Sequence, residues 1–381
     1  MRVLINAVAA RMGGAATHLP NFLRIAGRRR PRDEFVACVN AQWALTDLPP
    51  NIRVVQTGHL RNRLAHAAWD LWGISRLAVR ERADVMISLL NFGPVGGPVP
   101  QVVLERNPVY FCDDYLRTLR GPTALEVAAT RALAHAVMRG ARRIITPSAA
   151  MREMIRAFYP DLPLEKFRVV HHGFGIEEFR TPASLAPDVQ AALAAAEGTR
   201  LLYVSHAASY KGIEILLEAS RLLRDREVLC TTWLTIDPRD WPAGVERYQA
   251  FIREHRLAGR VVILGRIPHA AVHHVYGAAD LFVYPSLCES FGFPQVEAMA
   301  SGLPIVAADR PLCREICGGA AVYYPPRDAA AMADVISSLR GDEPRRRELT
   351  RAGGVQAQRF SWNDHVDAVL AVAEEAATSK S

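Results

Sequence analysis

Lysine is nearly missing from this chain: Lys166, Lys211 and Lys380 are the only three among 46 basic residues in 381. The positive charge is accordingly almost all arginine. No Asp-x-Asp pair occurs anywhere, so an acidic motif that clamps a divalent ion is not expected and no metal site is assigned. Long apolar runs are missing too, and no stretch reaches the roughly 18 residues that a membrane-crossing helix needs. Cysteine is sparse: Cys38, Cys112, Cys230, Cys288, Cys313 and Cys317 fall in apolar or loop contexts with no pairing pattern. That argues against a disulfide scaffold and for reduced thiols in a cytoplasmic protein. Cys313 and Cys317 can share a helix face, yet without a second pair they make no zinc site. The opening Met-Arg-Val-Leu-Ile-Asn-Ala-Val is too short an apolar run for a secretory signal. Nucleic-acid recognition motifs and aromatic-basic stripes are lacking, so no nucleic-acid partner is expected.

What is present begins with size. A chain of 381 residues, half of them hydrophobic, exceeds one ordinary core, and two domains are the default. The net charge of +7 is uneven: residues 1–180 hold 25 Lys+Arg against 15 Asp+Glu, and the rest hold 21 against 24. Arginine runs at Arg28-Arg29-Arg30-Pro31-Arg32 and Arg61-Asn62-Arg63, with Arg76, Arg80 and Arg82, supply the excess. Such a face suits an anionic membrane surface or a lipid-phosphate acceptor. A solvated, arginine-rich surface is the leading reading of this charge. Peripheral contact at the inner face of the membrane is the alternative.

Short β-like runs alternate with helical patterns along the first half. Strands are predicted at Val3–Asn6, Phe35–Val39, Arg53–Gln56, Val85–Ser88, Gln101–Leu104, Arg143–Thr146 and Arg168–His171. Helices are predicted around Thr17–Arg29, Leu64–Arg82, Thr123–Arg139 and Ala149–Phe158. The second half repeats the style, with strands at Arg200–Val204, Cys230–Ile236, Val261–Leu264, Leu281–Tyr284, Pro304–Ala307 and Ala321–Tyr324. Alternation of this kind means parallel sheets wrapped by helices. The expected fold is therefore α/β, two Rossmann-like doubly wound domains facing across a cleft: residues 1–180, an Ala- and Pro-rich connection over 181–198, and residues 199–359. A last helix follows over 360–381.

Chemistry concentrates after the strand Leu281–Tyr284. Glu289 and Glu297 stand eight apart in Cys288-Glu-Ser-Phe-Gly-Phe-Pro-Gln-Val-Glu297. Pro294 suits the first position of a helix, which would put Glu297 in its first turn. A strand, a glycine-bearing loop and a helix N-terminus make an anion site, because free N–H groups and the dipole face the ligand. One carboxylate can accept hydrogen bonds from sugar hydroxyls, and the other from a ribose diol. Ordinary surface charge is the competing reading. Tyr203-Val-Ser-His-Ala-Ala-Ser-Tyr-Lys-Gly212 runs from another strand into a helix, placing Lys211 to meet a diphosphate. Gly13 and Gly14, before the first long helix, let backbone approach a phosphate closely. They lack the spacing of the dinucleotide fingerprint.

The uninterrupted Ala279-Asp-Leu-Phe-Val-Tyr-Pro-Ser, Glu289-Ser-Phe-Gly-Phe-Pro, Glu297-Ala-Met-Ala-Ser-Gly and Leu-Pro-Ile-Val-Ala-Ala-Asp309 resembles the retaining glycosyltransferases of family 4, which carry two glutamates separated by seven residues and adopt the GT-B fold. The resemblance implies that Glu289 contacts the transferred sugar, Glu297 holds the nucleotide ribose, and the amides of Phe291 and Gly292 line the sugar and diphosphate. Lys211 would neutralise the leaving diphosphate. Relatives usually have an arginine five residues earlier, where this chain has His206; Arg266, in Leu264-Gly-Arg-Ile-Pro268 where relatives read the base, is a candidate substitute. Gly13 and Gly14 match the family's N-terminal glycine loop. On the acceptor and sugar side stand Asn107, where relatives often carry a histidine, and His172. His171 and His172, read as strand neighbours, point to opposite faces and form no simple metal pair. Phe360-Ser-Trp362 starts a last helix like the one that in relatives crosses back to the first domain.

The implied activity is metal-independent, retaining transfer of a hexosyl group, of mannosyl or glucosyl type, from a GDP- or UDP-sugar, with no cofactor. The acceptor is a hydroxyl of a glycan, a lipid-linked sugar or a small molecule. A non-catalytic subunit that binds nucleotide-sugar on the same fold is the alternative, kept open by His206 and the missing histidine near Asn107. A Rossmann oxidoreductase would leave the second half unexplained.

Overall fold

The computed structural model describes residues 1–10, 14–58, 68–180 and 183–379. Its contacts divide the chain into two compact units. The first comprises Met1–Cys112, Leu119–Gly173 and Ser361–Ser381, and the second comprises Asp113–Thr118 and Phe174–Phe360.

In the first unit seven strands form one parallel sheet in the order β3-β2-β1-β4-β5-β6-β7. They are β1 (Arg2–Ala7), β2 (Glu34–Asn40), β3 (Ile52–Thr57), β4 (Val85–Ser88), β5 (Gln101–Leu104), β6 (Arg143–Thr146) and β7 (Phe167–Val169). Strands β1, β2, β4 and β5 are buried almost throughout, as expected of parallel strands covered on both faces. Helices Gly14–Arg29 and Trp362–Thr378 share one core with the sheet, in which Phe22 and Leu23 pack with Val366, Val369 and Leu370. Arg29 pairs with Asp367 and Arg30 with Glu374. Part of the arginine run is thus matched by acids of the last helix. Arg61 and Arg63 lie outside the described residues.

The second unit repeats the topology with six parallel strands in the order β10-β9-β8-β11-β12-β13. These are β8 (Thr199–Tyr203), β9 (Cys230–Leu234), β10 (Val261–Ile263), β11 (Leu281–Tyr284), β12 (Ile305–Ala308) and β13 (Ala321–Tyr324). In both sheets the chain winds outward one way, returns past its first strand and winds out the other. The order reverses between β1 and β4, and again between β8 and β11, and a crevice opens beyond the carboxyl ends of such a pair.

The connection expected over 181–198 contains a helix, Pro187–Ala194, started by its proline; alanine is the best helix former. Two local expectations need correction. Strand β7 ends at Val169, so His171 and His172 lie in the following loop. Alternation of faces does not apply to them. Finally, Phe293 opens the helix Phe293–Ala300, which places Glu297 in its second turn. Among the described residues no helix is long and apolar enough to cross a membrane. All six cysteines are buried and none forms a disulfide, and burial pushes the Cys38 and Cys313 thiols up to about 12.

Candidate active site

The reversal between β8 and β11 brings together two residues 78 apart in sequence. Lys211 follows β8, Glu289 follows β11, and the Lys211 Nζ lies 2.5 Å from Glu289 Oε1. The two side chains are only 8% and 16% exposed. Backbone conformation sets this up. Gly212 adopts a left-handed φ of 66°, and its α-carbon faces the Pro285 carbonyl so closely that a Cβ would come within 2.3 Å. The helix Ile213–Asp225 therefore starts hard against the β11 loop and delivers Lys211 to it. The Tyr203 hydroxyl donates to the Lys211 carbonyl at 2.9 Å, and Ser286 Oγ donates to Glu289 Oε1 at 2.9 Å. Burial alone would raise the Glu289 pKa, but the Lys211 charge and the hydrogen bonds from Lys211 and Ser286 hold it below the ordinary value. The pair is thus a carboxylate and an ammonium in a nearly dry setting.

The loop after Glu289 closes on Gly292, which has φ 80° and precedes the helix Phe293–Ala300. Phe291 is buried and packs edge-on against Phe293 and Phe360, with ring centroids 5.1 and 5.3 Å away. Glu297, also buried, accepts from the Tyr276 hydroxyl at 2.7 Å through Oε2. Its other oxygen lies 3.7 Å from His269 Nε2. One oxygen is anchored, and the other faces a half-exposed histidine.

His206 and Arg266 stand differently from a pair of spare cations. His206 Nε2 is 3.2 Å from the Tyr210 hydroxyl. Desolvation of its ring, then the Lys211 charge, push its pKa down to about 4, although the residue as a whole is exposed. It is neutral at pH 7. Arg266 is held by Asp237 Oδ2 at 3.2 Å and Asp240 Oδ1 at 2.5 Å. Asp237 itself is pulled far below its ordinary pKa, first by its hydrogen bonds with Arg239.

Several participants gave no sequence signal. Arg310 Nη2 donates to the Leu287 carbonyl at 3.0 Å and to Asp114 Oδ2 at 2.9 Å. Asp114 comes from the short segment Asp113–Thr118, which belongs to the second unit although it lies in the first half of the chain. Tyr115 of that segment meets Tyr210 edge-on at 5.1 Å. Tyr276 stands outside the motifs read from the sequence, and Ser286 closes the quoted segment 279–286.

The other sequence candidates belong to the first unit. Gly13 lies outside the described residues, and Gly14 opens the helix Gly14–Arg29. The Asn107 side chain caps a short turn by accepting from the Val109 N–H at 3.2 Å. His172 is buried beside His18 and His365.

Similar proteins place this geometry in context. The chain is 32% identical over 234 residues to O-antigen chain mannosyltransferase B of Escherichia coli, covering 60% of each chain. It is 29% identical over 245 residues to D-inositol 3-phosphate glycosyltransferase 1 of Catenulispora acidiphila, covering 62% of this chain and 58% of that one. The matched segments thus span about three fifths of these curated relatives. Among solved structures, sucrose-phosphate synthase from Thermosynechococcus elongatus superposes with TM-score 0.74 at 19% identity over 98% of both chains. Anabaena HepE in complex with UDP and glucose gives TM-score 0.70 at 21% identity, over 98% of this chain and all of that one. With its two parallel sheets the protein has the two-domain, Rossmann-like GT-B fold. Residues 188–355, which carry Lys211, Glu289 and Glu297, match the model of the family described as glycosyl transferases group 1.

Proposed function

We propose that the protein is a retaining glycosyltransferase that moves a hexose from a nucleoside-diphosphate sugar to an acceptor hydroxyl. The observation that carries this reading is the buried Lys211–Glu289 pair at the carboxyl ends of β8 and β11. An ammonium has three N–H donors. Lys211 can therefore keep Glu289 while a diphosphate oxygen takes another proton, so charge building on the departing phosphate meets a cation already in place. Glu289 orients the sugar hydroxyls and offsets positive charge developing at the ring. The acceptor hydroxyl attacks the anomeric carbon on the face the diphosphate leaves, and its proton passes to the leaving phosphate oxygen. The new C–O bond replaces the old one with configuration retained. No divalent ion is assigned a part in this scheme.

Glu297 holds the ribose diol, and Gly292 and Phe291 line the diphosphate and sugar through their backbone; Gly13 and Gly14 are assigned to donor binding by their sequence alone. Asn107 serves the acceptor side. The sugar is of mannosyl or glucosyl type: one relative is named a mannosyltransferase, and Anabaena HepE was solved with UDP and glucose. The acceptor belongs to glycan, glycolipid or glycoside assembly.

The test is thermal stabilisation by UDP, GDP, ADP, dTDP and NAD in wild type and Glu297→Ala. A ligand at a hundred times its Kd adds about 2.7 kcal/mol to the folded state. One nucleoside diphosphate is expected to raise Tm, and Glu297→Ala to abolish the rise. A response to NAD alone would overturn the proposal. The matching sugar nucleotide is then offered with acceptors, and the anomeric configuration of the product is read by NMR.

Neutral His206 favours one second reading, a nucleotide-sugar-binding subunit without turnover, which would stabilise with the nucleotide yet release no sugar in transfer or hydrolysis. For the transferase, His206 gives a pH signature. A bound diphosphate raises the imidazole pKa from about 4, so a proton is taken up on binding. Affinity for the nucleoside diphosphate should therefore rise between pH 7 and pH 5. In His206→Arg, calorimetry should show roughly fivefold tighter binding without that slope.

A further inference from the structure

Three histidines that play no part in the proposed donor site converge inside the first unit. His18 lies on the helix Gly14–Arg29, His172 in the loop after β7, and His365 on the helix Trp362–Thr378. They are 1%, 4% and 2% exposed. One ring nitrogen from each lies within 4.8 Å of the other two. We propose that His18, His172 and His365 form a binding site for one divalent transition-metal ion of the zinc class, tying the last helix to the first unit.

Ring positions carry the argument. Three imidazoles around one tetrahedral ion at about 2.0–2.1 Å should have ring centroids roughly 5 Å apart. Here the centroids are 5.0, 5.5 and 5.5 Å apart. The rings meet edge to face at 75°, 73° and 63°, as rings radiating from a common point do, rather than stacking.

Orientation supports the same conclusion. His365 Nδ1 donates to the His171 carbonyl at 2.8 Å. A ligating histidine usually gives its second N–H to such a carbonyl, which fixes the ring and leaves the other nitrogen with its lone pair. That nitrogen, Nε2, is 2.8 Å from His18 Nε2. Without an ion the two share a proton; with an ion both turn lone pairs to it and His18 carries its proton on Nδ1. Trp362 and Phe22, with centroids 5.4 and 5.9 Å from that of His18, close the shell. Imidazole ligands suit zinc, copper or nickel and leave magnesium and calcium aside. The Arg106 guanidinium, whose charge reaches all three rings, weakens binding and favours an anion as fourth ligand.

A hydrogen-bonded histidine cluster without metal is the rival account, and the experiment separates the two. Untagged protein, purified without chelator, is analysed for bound metal and then titrated with zinc chloride and with cobalt(II) chloride. One equivalent of zinc, a raised Tm and a cobalt absorption of tetrahedral intensity are expected. His365→Gln and His18→Gln should each lose at least tenfold in zinc affinity, and Arg106→Met should gain about tenfold. Wild-type protein that takes up neither ion overturns the proposal, even if the variants fail to fold. Unchanged zinc binding in both histidine variants also overturns it, by placing the metal elsewhere.

Discussion

Lys211→Met should lower sugar transfer by about 100-fold or more and destabilise the fold by roughly 2–4 kcal/mol at pH 7. The catalytic part follows from losing the cation that meets the leaving diphosphate. The stability part follows from leaving Glu289, 16% exposed, without the charge that pairs with it. Breaking a buried pair by removing one partner is costly, and partial exposure trims the cost. The pH dependence gives the mechanism away. In wild type the Glu289 pKa is depressed, so its contribution is present above the unfolded pKa and lost as pH falls through the folded one. With Lys211 gone burial prevails and the folded pKa rises above the unfolded value. The variant's stability is then retained below the unfolded pKa and lost as pH rises. The gap between variant and wild type should accordingly narrow from pH 7 towards pH 4.5 in denaturant melts. Replacing both partners, as Lys211→Met with Glu289→Leu, should restore much of the stability and none of the activity. A double variant that still transfers sugar would remove the pair from the mechanism.

Gly292→Ala carries the second large effect. Gly292 sits at φ 80° and ψ 59°, where an L side chain is strained. A Cβ there would come within 2.4 Å of Gln295 Nε2 and 2.8 Å of the Tyr284 hydroxyl. Both side chains are almost wholly buried. The loop has nowhere to move without disturbing β11 or the helix Phe293–Ala300. Strain and overpacking together should cost about 2–4 kcal/mol. Nucleotide affinity should fall with it, because the same loop presents its backbone to the proposed diphosphate. Calorimetric unfolding and nucleotide titration check both parts. A change within 0.5 kcal/mol, the scale of an ordinary surface substitution, would show that the loop relaxes freely.

The amino-acid sequence was enough for the repeating architecture. Parallel strands buried on both faces must be nearly continuous apolar runs, and runs such as Val85–Ser88, Gln101–Leu104 and Leu281–Tyr284 stand in the structure with the bounds their composition suggests. Local signals also marked the glycine-bearing turn at Gly292 and the helix beyond it. They failed where a boundary turned on a single residue, as at Phe293.

What the sequence determined by itself is periodic or local: the alternating strands and helices, the two-sheet plan, and the identity of Lys211, Glu289 and Glu297 as the unusual polar residues near strand ends. Only the tertiary structure decided which distant residues meet. It joined Lys211 to Glu289 because β8 and β11 are neighbours at the reversal of strand order. It set Asp114 against Arg310, 196 residues away, and gathered His18, His172 and His365 from near the two ends and the middle of the chain. It also fixed the charge of His206, whose neutrality follows from packing and the nearby Lys211. Hydrophobic periodicity is written along a chain because each element must bury one face, whereas pairing between elements depends on strand order and loop paths that leave no periodic trace.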